Sequence, residues 1–340
     1  MNLLWKDTHE WDNEKLAENL RQVFTSSHGD GQLIVGDFSS VESRGLAWLA
    51  GEHWKLDSYR QGKDLYKVLA SKIYSVHYDE VLKSQRQVGK VGELSCGYGA
   101  GAGAVNSFAE NMGVEFSDGE AAQLVKDWRD ANPKVVDLWN RLDSLLHEAL
   151  DSAVGAAART VVGPYANYTV QVFQSRTPVT LVCQHPGAKS LTMELLDHND
   201  DLVLTRVFHG CYRRGRNIGY YKPSERKTGD LWKNHFTDPK TKQVMFYTIY
   251  GGKLAGILTQ SFCRELFFQA LETTYEWVRG VRNVDLIGQF HDEIVLDWWP
   301  DERGITLDQA KGDLERIMSN TDVVGFPMAC EVKSDYRYTK

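Results

Sequence analysis

Apolar positions recur at helical spacing along much of the chain and alternate in a few later stretches. Residues 13–24 carry Leu16, Leu20, Val23 and Phe24 on one side of a helical wheel, which predicts an amphipathic helix. The polar SSHGDG at 26–31 predicts a turn, and the apolar Leu33, Ile34 and Val35 a short buried strand ending at Gly36-Asp37. Helical patterns fill 40–50, 64–76 and 80–96, and glycines at 97, 99, 101 and 103 end the last of them. Ser117 followed by Glu120 predicts a capping box that opens a helix carrying Leu124 and Trp128. Asn132-Pro133 breaks it, and Leu138, Leu142 and Leu145 stay in phase on a second helix to about Leu150. After Gly163 the period becomes two: Tyr168, Val170 and Val172, then Val179, Leu181 and Cys183, predict strands. A long helix is expected over 254–278. VDLIGQFHDEIVLDWW then sets two apolar runs around Gln-Phe-His-Asp, a β-hairpin with acids at its tip. The expected architecture is a small acid-bearing sheet, built from the N- and C-terminal parts, with a helical lobe between them.

Composition changes this picture little. The chain has 340 residues, 42% hydrophobic and 25% charged, enough for one large core or two joined lobes. Its net charge of −7 argues against a simple basic coat for nucleic acid. The distribution is uneven, however: residues 203–245 hold ten Lys/Arg against three acids. An acidic body with one basic, aromatic-studded segment suits a polyanion gripped locally. The five cysteines are widely spaced with no Cys-x-x-Cys, which predicts reduced thiols and neither a disulfide framework nor a zinc site. The N-terminus has no apolar core of a signal peptide, and no run approaches the ~20 apolar residues of a membrane span, so a cytoplasmic protein is expected.

Three stretches carry candidate chemistry: GDFSSVESR at 36–44, RQVGKVGELSCGYG at 86–99 and QFHDEIVLD at 289–297. Asp37 ends an apolar strand and Asp292 sits at the hairpin turn; neighbouring strands would bring the two carboxylates together. Two hard oxygen donors suit Mg²⁺, which keeps water and substrate phosphate in its shell. Arg86, Lys90, Leu94 and Tyr98 follow at four-residue intervals and drift only ~40° per step, so they are expected on one helix face about 18 Å long. That is the scale of an extended nucleoside triphosphate, with cations at the phosphate end and Leu94 and Tyr98 at the sugar and base. Taken alone, each Asp reads as a turn or cap residue, and the basic positions as a solvated face. The ordered trio reads as phosphoryl transfer on a nucleotide.

These residues resemble family-A DNA polymerases, the DNA polymerase I type, and most closely its phage and prophage branch. GDFSSVESRGLAWLAGE resembles motif A, RQVGKVGELSCGYGAG motif B and QFHDEIVLD motif C, while TIYGGKLAGILTQSFCREL resembles the helix preceding motif C. The resemblance runs from about residue 18 to the C-terminus. It implies an α+β right-hand fold: an antiparallel palm sheet with helical fingers inserted, thumb and exonuclease absent. The expected domains are 1–52 (first palm part), 53–245 (fingers with a basic β-rich insertion) and 246–340 (second palm part).

The resemblance implies a template-directed DNA polymerase for phage DNA replication, using two Mg²⁺ ions, with Mn²⁺ able to substitute. Primer–template DNA and deoxynucleoside triphosphates are the expected partners. Asp37 and Asp292 match the metal-binding aspartates, joined by the Phe38 carbonyl, with Glu293 a supporting acid. Arg86 and Lys90 match the triphosphate-binding cations, and Lys90 also a proton donor to the leaving pyrophosphate. Tyr98 matches the aromatic near the templating base, Glu42 the steric gate against a ribose 2′-hydroxyl, and Ser39 and Leu94 nucleotide-binding neighbours. Gln289 and His291 match residues near the primer terminus; Gln260 and Arg264 fall where the family contacts template–primer. Leu94 stands where many relatives carry Phe or Tyr, and Glu93 where many carry Asn. The lack of a recognisable thumb or proofreading domain predicts either an excised portion or a second polypeptide supplying both. Two rival readings remain: a non-catalytic template–primer-binding subunit, and a metal-dependent phosphohydrolase of unrelated fold.

Overall fold

The computed structural model describes residues 21–117, 119–151, 250–321, 323 and 325–338, and six strands between 157 and 249. In chain order the elements are β1 (Gln32–Phe38), α1 (Val41–Ala50), α2 (His53–Arg60), α3 (Leu65–Tyr74), α4 (Lys83–Cys96), α5 (Ala102–Asn111), α6 (Glu120–Ala131) and α7 (Pro133–Asp151). There follow β2 (Ala157–Val162), β3 (Asn167–Val172), β4 (Val179–Gln184), β5 (Tyr212–Arg214), β6 (Asn217–Tyr221), β7 (Phe246–Ile249), α8 (Gly251–Val278), β8 (Val284–Phe290), β9 (Glu293–Trp298), α9 (Leu307–Ser319) and β10 (Cys330–Asp335). The chain divides into two compact units. One holds residues 1–41, 264–321 and 328–340; the other holds 42–263 and 322–327.

The first unit is built on an antiparallel sheet in the order β10-β1-β9-β8. β1 is an interior strand covered on both faces, which is why QLIVGDF is largely apolar on both. Leu33 and Val35 pack with Val295 and Tyr338 on one side. On the other, Gly36 lies against Leu314 and Met318 of α9, and Phe38 meets the Phe267 ring edge-on at 6.0 Å. Thr306 and Gln309 close a capping box at the start of α9. The predicted hairpin is present: β8 and β9 flank His291-Asp292, and His291 adopts a left-handed φ of 54°, as a two-residue connection requires.

The second unit is mostly helical. The helices expected over 40–50, 64–76, 80–96 and 254–278 all form, with shifted ends. Two others do not announce themselves in sequence. α2 buries Lys55 beside Leu56, so its inward face breaks the apolar pattern. α5 starts within the glycine run, with Gly101 extended as its N-cap and Gly103 in its first turn, so the run separates two helices rather than opening a loop. The box expected at Ser117 is only half made. Glu120 accepts from the Ser117 amide and hydroxyl, both at 2.6 Å, but the helix itself begins at Glu120. Pro133 opens α7, where a first-turn proline forfeits no bond, and the Lys134 amide donates to Glu52 at 2.9 Å. Burial raises the Glu52 pKa above the usual carboxylate value, against the lowering effect of these amide bonds.

α3 and α4 pack so closely that a Cβ at Gly89 would collide with the Tyr66 carbonyl. Gly89→Ala is therefore expected to destabilise by about 1–3 kcal/mol despite alanine's better helix propensity, because backbone must move. Urea unfolding would check this. The buried Cys96 thiol has its pKa raised to about 11 by burial, so it should resist alkylation at pH 8 in the native state and react on unfolding.

β3 and β4 form where the alternation predicts strands, and they pair antiparallel with Tyr168 opposite Cys183 and Val170 opposite Leu181. They join β2 in one three-stranded sheet, and β5-β6-β7 form another. Apart from β5 and β6, the basic segment 203–245 lies outside the described residues, as does nearly all of the helix predicted over 13–24. Among the described residues, no helix is long and apolar enough to cross a membrane.

Candidate active site

In the first unit, the sheet register sets the acids. Asp37, at the end of β1, pairs with Glu293 on β9 and with Glu331 on β10. One residue on, the Phe38 amide donates to the Asp292 carbonyl at 3.4 Å. Asp37 and Asp292 thus occupy neighbouring positions at one end of the sheet, and both are half-buried. Residues opposite each other in an antiparallel pair share a face. Asp37 therefore shares its face with Glu293, and Asp292 belongs to the turn. Glu293 is 2% exposed and already engaged: the Tyr338 hydroxyl donates to it, and Arg21 lies 3.8 Å away, over the Tyr338 ring. Burial, reinforced by the Glu293 carboxylate, pushes the Tyr338 phenol pKa upward, so the proton stays on the phenol. Glu293 is a braced, buried acid, whereas Asp37 and Asp292 are accessible.

Around these acids, Ser39 donates its amide to the Ala329 carbonyl at 3.0 Å, fixing the chain just past β1. Gln289 and His291 are exposed on the hairpin. Arg264 is exposed on α8, 5.0 Å from the centre of the Phe268 ring.

In the second unit, α4 carries Arg86, Lys90 and Leu94 on one face, with Leu94 50% exposed. Tyr98 departs from the expectation. The helix ends at Cys96, because Gly97 and Gly99, the latter at φ +84°, favour a turn over continuation, and Tyr98 lies in that turn. Its hydroxyl donates to Glu42 at 2.9 Å, Glu42 being in the first turn of α1. Burial and then the Glu42 charge raise the Tyr98 pKa, so the phenol remains a donor. The glycine-rich start of α8 is a packing requirement. A Cβ at Gly252 would meet the Tyr98 carbonyl, and one at Gly251 the Trp139 carbonyl. Gln260 lies exposed further along the same helix.

Two residues absent from the sequence reading shape α4. Asp64 caps α3, accepting from the Tyr66 amide at 2.9 Å, and its other oxygen accepts from Arg86 Nε at 2.6 Å. Lys55 reaches both oxygens of Glu93 at 2.8 Å, both groups being buried. The only sequence signal for the first was an Asp before a helical run, and for the second a Glu in place of the family's usual Asn.

The sequence model of DNA polymerase family A matches residues 12–195. A DNA polymerase of Bacillus phage SP02 is 38% identical over 92% of this chain, which spans 41% of that protein. The chain belongs to DNA polymerase family A. A DNA polymerase of Bacillus phage SP01 is 32% identical over 34% of the chain, and DNA polymerase I of Aquifex aeolicus 27% identical over 37%, spanning 13% and 22% of those proteins. In fold, the chain is similar to the POL domain of Pol1 from M. smegmatis solved in complex with DNA primer-template and dNTP. The TM-score is 0.55 at 15% identity, covering 96% of this chain and 43% of that one.

Family-A polymerases use divalent metal ions. Among the described residues no group of three or more His, Cys, Asp or Glu forms a closed metal cage. Two accessible carboxylates at adjacent positions fit a hard cation that completes its shell with water and phosphate oxygen.

Proposed function

We propose that the chain is the palm-and-fingers part of a DNA-directed DNA polymerase serving phage DNA replication in the host-cell cytoplasm. The first unit is read as palm and the second as carrying the fingers. The single observation supporting this most directly is the register that sets Asp292 beside Phe38 and Asp37 at one sheet end. Asp37, Asp292 and the Phe38 carbonyl would hold two Mg²⁺ ions. When bound, these supply Lewis-acid activation of the primer 3′-hydroxyl and neutralise charge on the triphosphate and pyrophosphate.

The remaining roles are those that the family resemblance implies for these residues. Lys90 donates to the phosphates and is the proton source for the departing pyrophosphate. Arg86, aimed by Asp64, grips the same triphosphate. Leu94, exposed on α4, offers an apolar surface to the sugar, with Ser39 a nucleotide-side neighbour in the palm. Tyr98 holds the Glu42 carboxylate in place, and that carboxylate excludes a 2′-hydroxyl. Glu293 braces the acid end of the sheet. Gln289 and His291 steady the primer terminus, and Gln260 and Arg264 the template–primer.

The direct test is extension of a labelled primer with dNTPs and Mg²⁺ or Mn²⁺, with and without a thumb-bearing segment supplied in trans. Products that grow with template sequence support the reading. Duplex binding without extension in either arm would make the chain a non-catalytic subunit. Cleavage of substrate without primer or dNTP would make it a phosphohydrolase. Glu42→Ala is expected to raise ribonucleotide incorporation relative to deoxyribonucleotide, since truncation opens the space the carboxylate fills. An unchanged ratio would move the gate to another residue.

A further inference from the structure

The two cations of α4 differ in their surroundings. Arg86 is engaged by Asp64, while Lys90 makes no ion pair among the described residues. This is unexpected, because Glu93 lies three residues further along the same helix. At that spacing two side chains are about 4.5 Å apart along the axis and about 60° round it, within reach of an ion pair. The structure accounts for the difference. Lys55 of α2 donates to both Glu93 oxygens at 2.8 Å, with its side chain 1% exposed and that of Glu93 3% exposed. Ser43 donates its hydroxyl to the same carboxylate, and Trp128 donates from Nε1 at 3.4 Å. The Trp128 ring also lies 4.9 Å from the Lys55 ammonium. The acceptor capacity of Glu93 is thus turned inward, away from Lys90.

We propose that Lys55 is a positioning residue for nucleotide binding. By occupying Glu93 it keeps that carboxylate off Lys90 and leaves the Lys90 ammonium available to phosphate. The proposal rests on the polymerase reading, in which Lys90 binds the triphosphate. Its physical basis is competition: a buried carboxylate deprived of its cation draws the nearest one, and on α4 the nearest is Lys90.

The test is titration of the full chain with dATP in Mg²⁺ by calorimetry, well below the melting temperature of every variant. Lys55→Met is expected to weaken binding about tenfold, the scale of one charge-assisted contact. Adding Glu93→Gln to Lys55→Met should return affinity to within about threefold of the parent, because an amide carries no charge to compete. Glu93→Gln alone should bind like the parent. Glu93→Gln alone separates this from a purely structural pair, which would lose affinity when broken from either side; a loss in Glu93→Gln comparable to that in Lys55→Met would therefore also overturn the proposal. If Lys55→Met does not fold, Lys55→Gln serves, and a smaller loss that Glu93→Gln again reverses is expected. Parent-like dATP affinity in Lys55→Met, or failure of Glu93→Gln to restore it, overturns the proposal and leaves the polymerase reading intact. No dATP binding by the parent removes that reading and the proposal with it.

Discussion

Asp292→Ala is expected to lower single-turnover primer extension about a thousandfold or more, under conditions in which the parent extends. In the proposed role of metal-holding carboxylate, Asp292 would lower the phosphoryl-transfer barrier by several kcal/mol, and each 1.36 kcal/mol is about tenfold. The fold should be retained for a reason visible in the hairpin. The Asp292 contact with β1 is made by its carbonyl oxygen, accepting from the Phe38 amide, and alanine keeps that oxygen. The side chain is half-buried in a turn, so its truncation leaves no deep cavity. Melting temperature and duplex binding should stay close to those of the parent. Extension at the parental rate would remove Asp292 from the mechanism, and a large drop in melting temperature would make the residue structural.

The largest expected effect on stability comes from Lys55→Met. The Lys55 side chain is 1% exposed, and its ammonium satisfies both oxygens of Glu93, whose side chain is 3% exposed. Removing one partner of such a pair leaves a buried charge without compensation, which typically costs about 3–5 kcal/mol. Replacing both partners with apolar groups of similar size, Lys55→Met with Glu93→Leu, is often close to neutral. Urea midpoints for the single and double variants would check this. A single variant as stable as the parent would mean that water reaches Glu93 when Lys55 is gone.

The hairpin illustrates how much of the candidate site is legible locally. Two apolar runs of strand length around Gln-Phe-His-Asp admit few conformations, and β8 and β9 form as the pattern predicts. The basic face of α4 is likewise readable, because helical spacing alone aligns Arg86, Lys90 and Leu94. Tyr98 marks where that reasoning stops. The four-residue interval continues, but the glycines on either side of Tyr98 end the helix, and the phenol is held instead by Glu42, fifty-six residues earlier. α2 was hidden for a related reason. Its inward face includes a lysine, and a buried charge is recognisable only once its partner is known.

Local pattern by itself therefore determined which segments are helix or strand in the long periodic stretches. The three ordered motif stretches carried the family resemblance, and the family model over residues 12–195 and the phage relative bear it out. Tertiary structure decided what no periodicity encodes: which acid pairs across the sheet, and which partner each buried charge has. The register sets Asp37 opposite Glu293 and makes Asp292 a turn residue. Side-chain reach assigns Tyr338 to Glu293, Asp64 to Arg86 and Lys55 to Glu93. These are contacts between residues far apart in the chain. Their energies depend on distance and burial in three dimensions, quantities that sequence spacing does not contain.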